Sequence, residues 1–460
     1  MDRVEDLGER LGMKEAESSS FASNPSDCRV AIIGAGYAGL AAAVELAQRN
    51  IPVTVFESGP TLGGRGRGIS HRGLALDNGQ HLLIGAYRET LRLMQLVGRG
   101  EMGLRRLRLR LLTEDQFDLT AAALPAPLNL FVGLLRARGL SFAERLRAIA
   151  FMSVMRLARF RLAEDASAAH LLATHRQDGS LARYLWGPLC LAALNTPLER
   201  ASAQVFLNVL HDGLAQNAAA SDLLLPCTDL TALFPQHAAA FVGAHGGEVQ
   251  TLSPVKAIDS CHGEFVVHAC ERAYPATHVI CAVGPHQLAR LQAPAAALSH
   301  ALQAVSSYRY EPICTVYLKY PRSVSLPFPM LALDGGLTQW LIDRQALCRT
   351  HGLVAAVISA SGPHLQMAHE VLVERISNEI AVHFPQFGRP RWGKVITEKF
   401  ATFACVPGLL RPPQRTALPG FLLAGDYTEG DYPATLEGAV RSGVKCAQII
   451  LAQLNMPTHA

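Results

Sequence analysis

Four polar residues stand close together in the otherwise apolar stretch "LALDNGQHLLIGAY" at residues 74–87, namely Asp77, Asn78, Gln80 and His81. A buried strand rarely carries such a run, because each polar side chain needs a hydrogen-bonding partner away from water. These side chains can hold a ligand by hydrogen bonds, and a histidine can also transfer a proton near neutral pH. The run is therefore a candidate binding and proton-transfer site. The alternative for His81 is a structural histidine bonded to the backbone.

A glycine-rich turn precedes this run. The segment "CRVAIIGAGYAGLAAAVELAQRNIPVTVFES" (28–58) predicts a strand, a tight turn, a helix and a second strand. Gly34, Gly36 and Gly39 form GxGxxG at the turn. In a dinucleotide site the first glycine permits the sharp turn, the second lets a pyrophosphate approach the backbone, and the third allows close helix–strand packing.

The helix and the second strand of this unit complete the predicted dinucleotide site. Tyr37 and Ala38 begin the helix, whose N-terminus supplies a favourable field for phosphates. Glu57 ends the second strand at the distance expected for an acid that holds a ribose hydroxyl. Because strand, helix and acid occur together, dinucleotide binding is favoured over a glycine-rich turn with a structural role alone.

Three further stretches resemble the amine-oxidase-like and carotenoid-desaturase-like flavoproteins. "GPTLGGRGRG" (59–68) has the GG-R pattern that follows their first βαβ unit, and "TALPGFLLAGDY" (416–427) ends a strand in Gly-Asp. "GGEVQTLSPVKAI" (246–258) is similar to the segment whose backbone meets the adenine. The resemblance implies that FAD is the cofactor. Its implied contacts in this sequence are Gly64, Arg65, Val255, Gly425 and Asp426.

A narrower resemblance is carried by three blocks of sequence. "LDNGQHLLIGAYRETLRLMQLVG" (76–98), "GPLCLAALNTP" (187–197) and "AGDYTEGDYPATLEGAVRSG" (424–443) resemble the signature blocks of the squalene-associated, FAD-dependent hydroxysqualene dehydroxylases. The implied reaction is reductive removal of the hydroxyl of hydroxysqualene, giving squalene, with hydride from reduced FAD. The alternatives are a carotenoid-type desaturase or amine oxidase with the opposite direction of hydride transfer, or a non-catalytic membrane-associated flavoprotein.

The same resemblance implies roles for the polar run. Asn78 and Gly79 would contact the flavin, while Gln80 and His81 would face the substrate hydroxyl. Hydroxide is a poor leaving group, so a positioned acid is expected to contribute about 10²–10⁴-fold to the rate, and His81 is the first candidate. Asp77 is predicted to cap the turn or to bond local amides.

The C-terminal block implies a second set of flavin contacts at the start of a helix, where backbone amides would face the flavin N1/O2 edge. These residues are Pro433, Ala434, Thr435 and Leu436. The alternative is an ordinary helix cap. Asp431 is a second candidate acid, against a solvated loop carboxylate, and Asn195 is a candidate pocket residue, against a turn-forming asparagine before Thr-Pro.

The order of these motifs predicts an α/β fold with a Rossmann-type, GxGxxG FAD-binding domain that is discontinuous in sequence, together with an α+β substrate domain. The chain has 460 residues, of which 49% are hydrophobic, so two such domains can each bury a core. The predicted segments are a flexible leader at 1–27, FAD-binding segments at 28–95, 218–290 and 390–455, and substrate-domain segments at 96–217 and 291–389.

Charge and cysteine patterns limit the partners. Residues 99–161 contain twelve arginines and five acids, and this basic stretch predicts either a peripheral membrane surface or a solvated basic face. The net charge is only +4 and the basic stretch has no aromatic residues interleaved in the manner of a nucleic-acid binder, so no nucleic-acid partner is predicted. The ten cysteines include no CxxC pair, which predicts no metal site and a reducing, cytoplasmic setting. Together with the basic stretch, this predicts a cytoplasmic protein that is peripheral on the inner membrane. GxGxxG in a strand–helix setting occurs once, so an external electron donor or reductase is expected.

Overall fold

The computed structural model describes residues 27–455. The predicted leader at 1–27 therefore lies outside the described residues, apart from Asp27. Two large sheets dominate the described chain, a five-stranded one and a seven-stranded one. They correspond to the predicted cofactor and substrate domains, and the predicted fold class is confirmed.

The five-stranded sheet, the cofactor sheet, is entirely parallel. Its order is Glu248–Gln250, Val53–Phe56, Val30–Ile33, His278–Cys281 and Phe421–Leu423. Two of its inner strands, Val30–Ile33 and His278–Cys281, are buried along their whole length, as expected of a parallel sheet that is covered on both faces. The strand that leads into the glycine-rich turn lies at the centre, so the turn opens at the carboxyl edge of the sheet, where such folds bind ligands.

The helix after the glycine-rich turn, Tyr37–Ala47, is buried along all eleven residues. It packs against the C-terminal helix Leu436–Gln453 and against Pro235–Ala244. Glu45 is its one charged residue, and the rest of the helix is apolar, as expected of a helix that has no face toward water. Its N-terminus is thereby fixed next to the start of the C-terminal helix.

The seven-stranded sheet, the substrate sheet, has the order Trp392–Phe403, Tyr310–Lys319, Leu353–Ser359, Trp340–Asp343, Met330–Ala332, Arg110–Thr113 and Phe117–Thr120. The predicted boundaries differ from the structure at two strands. Leu104–Leu107, in the first predicted substrate segment, pairs with Leu223–Pro226 of the second predicted FAD segment. Trp392–Phe403 stands in the third predicted FAD segment, yet it pairs with Tyr310–Lys319 over its length. Most of its residues are half-buried, which fits a strand at the edge of an antiparallel sheet and differs from the buried strands of the cofactor sheet.

Successive side chains of the strand Tyr310–Lys319 point to opposite faces of the substrate sheet. Cys314, Val316 and Leu318 pack in a cluster with residues of helix His369–His383. Ile313 lines a large cavity on the opposite side, and Thr315 and Tyr317 hydrogen-bond to the polar run there. The sheet therefore forms one wall of the cavity.

The remaining elements connect or cover these sheets. Three smaller sheets pair Gly68–His71 with Leu74–Asp77, Leu223–Pro226 with Leu83–Ile84 and Leu104–Leu107, and Glu264–Ala269 with Val255–Cys261 and Arg272–Ala276. The other helices are Arg88–Leu96, Leu128–Arg136, Phe142–Leu157, Ala168–Thr174, Gly187–Leu194, Ala203–Leu210, Leu230–Leu233, Ala295–Val305 and Arg344–Cys348. Turns of π-helix occur at Ala182–Trp186 and His211–Ala215, and 3₁₀ turns at Ala218–Ser221, Pro285–Arg290, Pro363–Gln366 and Pro385–Phe387. No helix within residues 27–455 combines the length and apolar character needed to cross a bilayer.

Candidate active site

A cavity of about 990 Å³ lies between the glycine-rich turn and the substrate sheet. Its volume is at the upper end of the range of ligand pockets. Nineteen of the twenty-one residues predicted at the cofactor or the chemistry line it, and the other two are Gly39 and Asp431. The cavity therefore unites sequence blocks that are hundreds of residues apart.

The three glycines of the turn have different surroundings. Gly34 has φ +107°, and a Cβ on Gly39 would lie 2.0 Å from the Gly34 carbonyl oxygen. A Cβ on Gly36 would instead meet no protein atom closer than 3.9 Å, and Gly36 lines the cavity. Gly34 and Gly39 are therefore required by the fold itself, whereas Gly36 keeps space open for a ligand next to the helix N-terminus.

Glu57 is bonded to the same turn. Its Oε2 accepts from the Ala35 amide at 3.0 Å, and its Oε1 accepts from the Gly59 amide at 2.8 Å. The carboxylate is thus held at the end of its strand, beside the cavity. This is the place expected for an acid that binds a ribose hydroxyl. Val255 also lines this end of the cavity.

Arg65 and Asp426 form an ion pair at the cavity wall. Arg65 Nη2 lies 2.5 Å from Asp426 Oδ1, and Arg65 Nη1 donates to the Ala401 carbonyl at 2.7 Å. Nearby, Asn78 Nδ2 donates to Glu398 Oε2 at 2.8 Å. The GG-R motif and the Gly-Asp motif are therefore linked by a charge-assisted hydrogen bond between Arg65 and Asp426.

The buried Asp77 has a distant partner. Its Oδ1 accepts from the Leu230 amide at 2.8 Å, and Arg344 Nη1 lies 3.6 Å from its Oδ2. The expectation that Asp77 bonds local amides is therefore wrong. Burial raises the pKa of Asp77 to about 6, while Arg344 and the Leu230 amide act in the opposite direction.

Arg344 also fixes the next polar residue of the run. Its Nη1 donates to Gln80 Oε1 at 3.2 Å, and the Gln80 amide donates to Thr315 Oγ1 at the same distance. Gln80 is thus oriented from the side of the substrate sheet. Neither Arg344, at the start of a short helix, nor Glu398, inside a strand, is recognisable from the sequence, because a single charged residue in such a place carries no local signal.

His81 lines the cavity, and its Nδ1 lies 2.6 Å from the Gly79 carbonyl oxygen. This contact makes Nδ1 the donor and leaves Nε2 as an acceptor in the neutral ring. Burial lowers the pKa of His81, and the Arg65 guanidinium acts in the same direction against the bond to Gly79. The ring is therefore neutral at pH 7, which favours the structural alternative over a proton donor.

Asn195 lines the cavity but directs its amide into the protein. Its Nδ2 contacts Thr402 Oγ1 at 3.0 Å and the carbonyl oxygens of Glu311 and Pro312, and its Oδ1 accepts from the Ala360 amide at 2.8 Å. Its φ of +48° ends the helix Gly187–Leu194 in the left-handed conformation. These contacts favour the turn-forming alternative for Asn195.

The C-terminal helix begins at the cavity wall. Thr435 is its N-cap, and Thr435 Oγ1 accepts from the Gly438 amide at 3.1 Å. Pro433, Ala434 and Leu436 line the cavity beside it. Since the first amides of a helix have no intrahelical partner, this end can receive a negatively charged or polar group.

Asp431 has a different position from the one its predicted role requires. Its side chain is 70% exposed, lies 3.8 Å from Arg161 Nη1, and does not line the cavity. The structure therefore fits the alternative of a solvated loop carboxylate. A proton donor at the cavity has to be found elsewhere.

Comparison with known proteins identifies the family. A family model described as flavin containing amine oxidoreductase matches residues 37–451. The chain belongs to this family. This flavin-dependent family member is an oxidoreductase and its cofactor is FAD, as predicted. The open cradle at Gly36, the acid at the strand end and the helix N-terminus all fit that cofactor.

Individual relatives of this amine oxidoreductase family member carry the names of more specific activities. Hydroxysqualene dehydroxylase from Rhodopseudomonas palustris is 30% identical over 92% of this chain and 98% of its own length, which confirms the expected resemblance. A probable zeta-carotene desaturase from Synechococcus elongatus is 24% identical, over 92% and 98%. The structure of cyclohexylamine oxidase from Brevibacterium oxydans is similar in fold, with a TM-score of 0.69, 18% identity, and coverage of 93% and 100%.

Proposed function

We propose that this FAD-dependent oxidoreductase removes the hydroxyl of hydroxysqualene and releases squalene. The observation that carries the proposal is the apolar half of the cavity, which lies beyond the polar run. Its lining includes Leu111, Leu189, Val209, Leu214, Ile313, Met330, Trp340, Ile342 and Val357. Such a surface suits a long branched hydrocarbon and excludes water from the reacting carbon. The similarity to hydroxysqualene dehydroxylase supports the same substrate.

The residues of the site have separate proposed roles. FAD supplies the hydride when it is bound in reduced form. Asn78, Gly79 and the start of the C-terminal helix would bind the flavin, and the helix amides would stabilise negative charge there. Gln80, oriented by Arg344, and His81, through Nε2, would hold the substrate hydroxyl. We assign Asn195 a positioning role, because its amide is occupied by protein partners.

Anaerobic incubation of the reduced enzyme with hydroxysqualene tests the proposal. Formation of squalene together with reoxidation of the flavin is expected, in equal amounts. If squalene is absent and the flavin stays reduced, the proposed function is wrong. The similarity to zeta-carotene desaturase supports the desaturase alternative. This alternative predicts instead that a polyene precursor reduces the oxidised enzyme.

We also propose that the enzyme docks on an anionic lipid bilayer through two helices, Leu128–Arg136 and Phe142–Leu157, hereafter the helix pair. Large apolar side chains on this pair are exposed, among them Phe142 at 66% and Leu157 at 86%. The stretch around the pair carries the excess of arginine, which supports attraction to anionic headgroups. Single exposed apolar residues are common, but a group of them on adjacent helices supports an interaction site.

A second cavity, of about 170 Å³, supports the same surface. It lies under the helix pair and is lined by Leu128 and Phe131, which are partly exposed. It shares Leu109, Leu111, Leu189 and Leu214 with the main cavity. We propose that the hydrocarbon substrate passes between bilayer and main cavity along this apolar route.

Vesicle sedimentation tests the docking surface. Vesicles that contain phosphatidylglycerol should bind the enzyme, and the double substitution Phe142→Ser and Leu157→Ser should lower binding at least about tenfold. Val382→Ser, at a side chain that is 78% exposed on another helix, is the matched control. Equal binding by all three proteins would refute the assignment.

The electron donor and the location of the enzyme follow as proposals from the same features. We propose that a separate reductase or small redox carrier reduces the flavin, because a second glycine-rich dinucleotide motif in a strand–helix setting is not found in the sequence. Docking on an anionic bilayer together with scattered thiols favours the cytoplasmic face of the inner membrane.

A further inference from the structure

A chain of hydrogen bonds leads from the cavity to the protein surface. Tyr432 Oη donates to Asp212 Oδ2 at 2.5 Å, and Asp212 Oδ1 lies 2.8 Å from His211 Nδ1. Tyr432 and Asp212 line the cavity, whereas the side chain of His211 is 44% exposed. Three groups that can each carry a proton therefore connect solvent with the cavity.

The local structure fixes both ends of this chain. His211–Ala215 is a turn of π-helix, an irregularity that often occurs at functional sites. On the other side, Arg411 Nη1 donates to the Tyr432 carbonyl at 2.7 Å, and the Arg441 guanidinium lies 4.3 Å from the centre of the Tyr432 ring. Tyr432 directly precedes the residues that line the cavity at the start of the C-terminal helix.

The proposed reaction needs a proton donor that the predicted residues do not supply. His81 is neutral and bonded to the backbone, and Asp431 lies outside the cavity. Asp77 is buried against Arg344, and it is not part of the cavity lining. Among the groups of the described chain that line the cavity, Tyr432 has a donor hydroxyl and a continuous bonded path to an exposed titratable side chain.

We propose that Tyr432, Asp212 and His211 form a proton relay, which delivers a proton from solvent to the hydroxyl oxygen that leaves the substrate. This inference rests on the proposed dehydroxylation. It makes Tyr432 the catalytic residue that touches the substrate, and it makes Asp212 and His211 the groups that return a proton to Tyr432.

With this relay, every proton and electron pair of the dehydroxylation has a source and a destination. The C–O bond breaks, and the oxygen leaves as water after it takes the proton of Tyr432 Oη. Tyr432 is then reprotonated through Asp212, which passes on a proton that His211 has taken from solvent. Reduced FAD, when bound, would supply the hydride for the substrate carbon, so that the alcohol would be reduced to the hydrocarbon at the expense of the flavin.

Burial and the neighbouring Asp212 keep the phenol of Tyr432 protonated between turnovers. Burial raises the pKa of Tyr432, and the bond to Asp212 acts in the same direction, whereas Arg441 acts against them. Arg441 is itself paired with the buried Glu437 at 2.8 Å. The other charged groups around the loop and the turn are Arg411, Arg161 and Asp431.

Single-turnover measurements on the FAD-loaded enzyme test the relay. Reduced Tyr432→Phe and Asp212→Asn should each reoxidise with hydroxysqualene at least about 10²-fold more slowly than wild type, as expected for a lost general acid. Their FAD content and their affinity for hydroxysqualene, measured by perturbation of the oxidised flavin spectrum, should stay within about twofold. Tyr184→Phe is the matched control, because its partly buried hydroxyl bonds to Asp334 outside the cavity.

Chemical rescue tests the outer end of the relay. His211→Ala should also be slow, and added imidazole should restore its rate in proportion to concentration, since the side chain is exposed. If Tyr432→Phe loses FAD, the imidazole rescue of His211→Ala decides whether the relay operates. Wild-type rates in Tyr432→Phe and Asp212→Asn, or a slow His211→Ala without rescue, would overturn the relay. A wild-type enzyme that forms no squalene would instead overturn the proposed function.

Discussion

Replacing Gly36 by valine should separate cofactor binding from folding. A Cβ at this position lies 3.9 Å from the nearest protein atom, which is the Gly64 Cα, and φ is −75° with ψ 178°. Any residue can adopt this extended backbone conformation, so the protein itself tolerates the side chain. The added methyl groups would instead occupy the part of the cavity that a pyrophosphate needs for its approach to the helix N-terminus.

The size of the effect follows from two losses. Displacing the pyrophosphate from the helix N-terminus removes an interaction worth up to about 2 kcal/mol. Forcing two methyl groups against a bound ligand costs about 1–3 kcal/mol by analogy with overpacked cores. A total near the middle of these ranges, about 3 kcal/mol, corresponds to an FAD affinity about 100-fold weaker. The free energy of unfolding of the apoprotein should change by less than about 1 kcal/mol.

Fluorescence titration of the apoprotein with FAD measures the affinity, and urea denaturation of the same apoprotein measures its stability. Gly243→Val is the control for substitution as such, because a Cβ at Gly243 meets nothing within 4 Å and this glycine does not line the cavity. Gly39→Ala is the opposite control and should unfold the protein, since its Cβ would lie 2.0 Å from a carbonyl oxygen. Normal FAD affinity in Gly36→Val would refute the assignment of the cradle.

Three further results are expected. Arg344→Met should lower the free energy of unfolding by about 3–5 kcal/mol at pH 8 and by less at pH 5, where Asp77, with its pKa already raised to about 6, is protonated in the folded state. Equal losses in urea denaturation at both pH values would contradict this. His81→Ala should keep its FAD and lose about tenfold in turnover, the value of one hydrogen bond to the substrate, and unchanged turnover would leave His81 with a structural role. NADPH and NADH should bleach the flavin more slowly than turnover in anaerobic stopped flow, and saturable reduction at the turnover rate would reveal a missed nicotinamide site.

The cofactor half of the site was accessible from sequence because its contacts are local. Gly34, Gly36, Gly39 and Glu57 belong to one strand–turn–helix–strand unit, whose spacing alone dictates what each residue does. The ends of this unit in the structure, Val30 and Phe56, agree with that pattern. The resemblance of the later blocks added Arg65 and Asp426, which the structure joins in an ion pair.

The substrate half was not accessible in the same way. Arg344, Glu398 and Asp212 reach the site through pairings between strands and helices that lie far apart in sequence, and no local pattern reports such pairings. The placement of residues 390–403 in an FAD-binding segment has the same origin, because the sequence of a strand such as Trp392–Phe403 does not show which strand it pairs with. Asp431 was placed at the chemistry by its proximity in sequence to the C-terminal helix, and one residue further along the chain Tyr432 turns into the cavity instead.

The strand order of the cofactor sheet governs when the enzyme can acquire its flavin. Val30–Ile33 pairs with His278–Cys281, and that strand pairs in turn with Phe421–Leu423. A ribosome therefore delivers the glycine-rich turn early, but the last strand and the start of the C-terminal helix come only when about nine-tenths of the chain has been made. Pairings over such sequence separations form slowly. Until Phe421–Leu423 has been made, the buried strand His278–Cys281 has no neighbour on one side, so the unfinished chain exposes an unpaired strand edge. Flavin that needs the start of the C-terminal helix can therefore bind only late in synthesis.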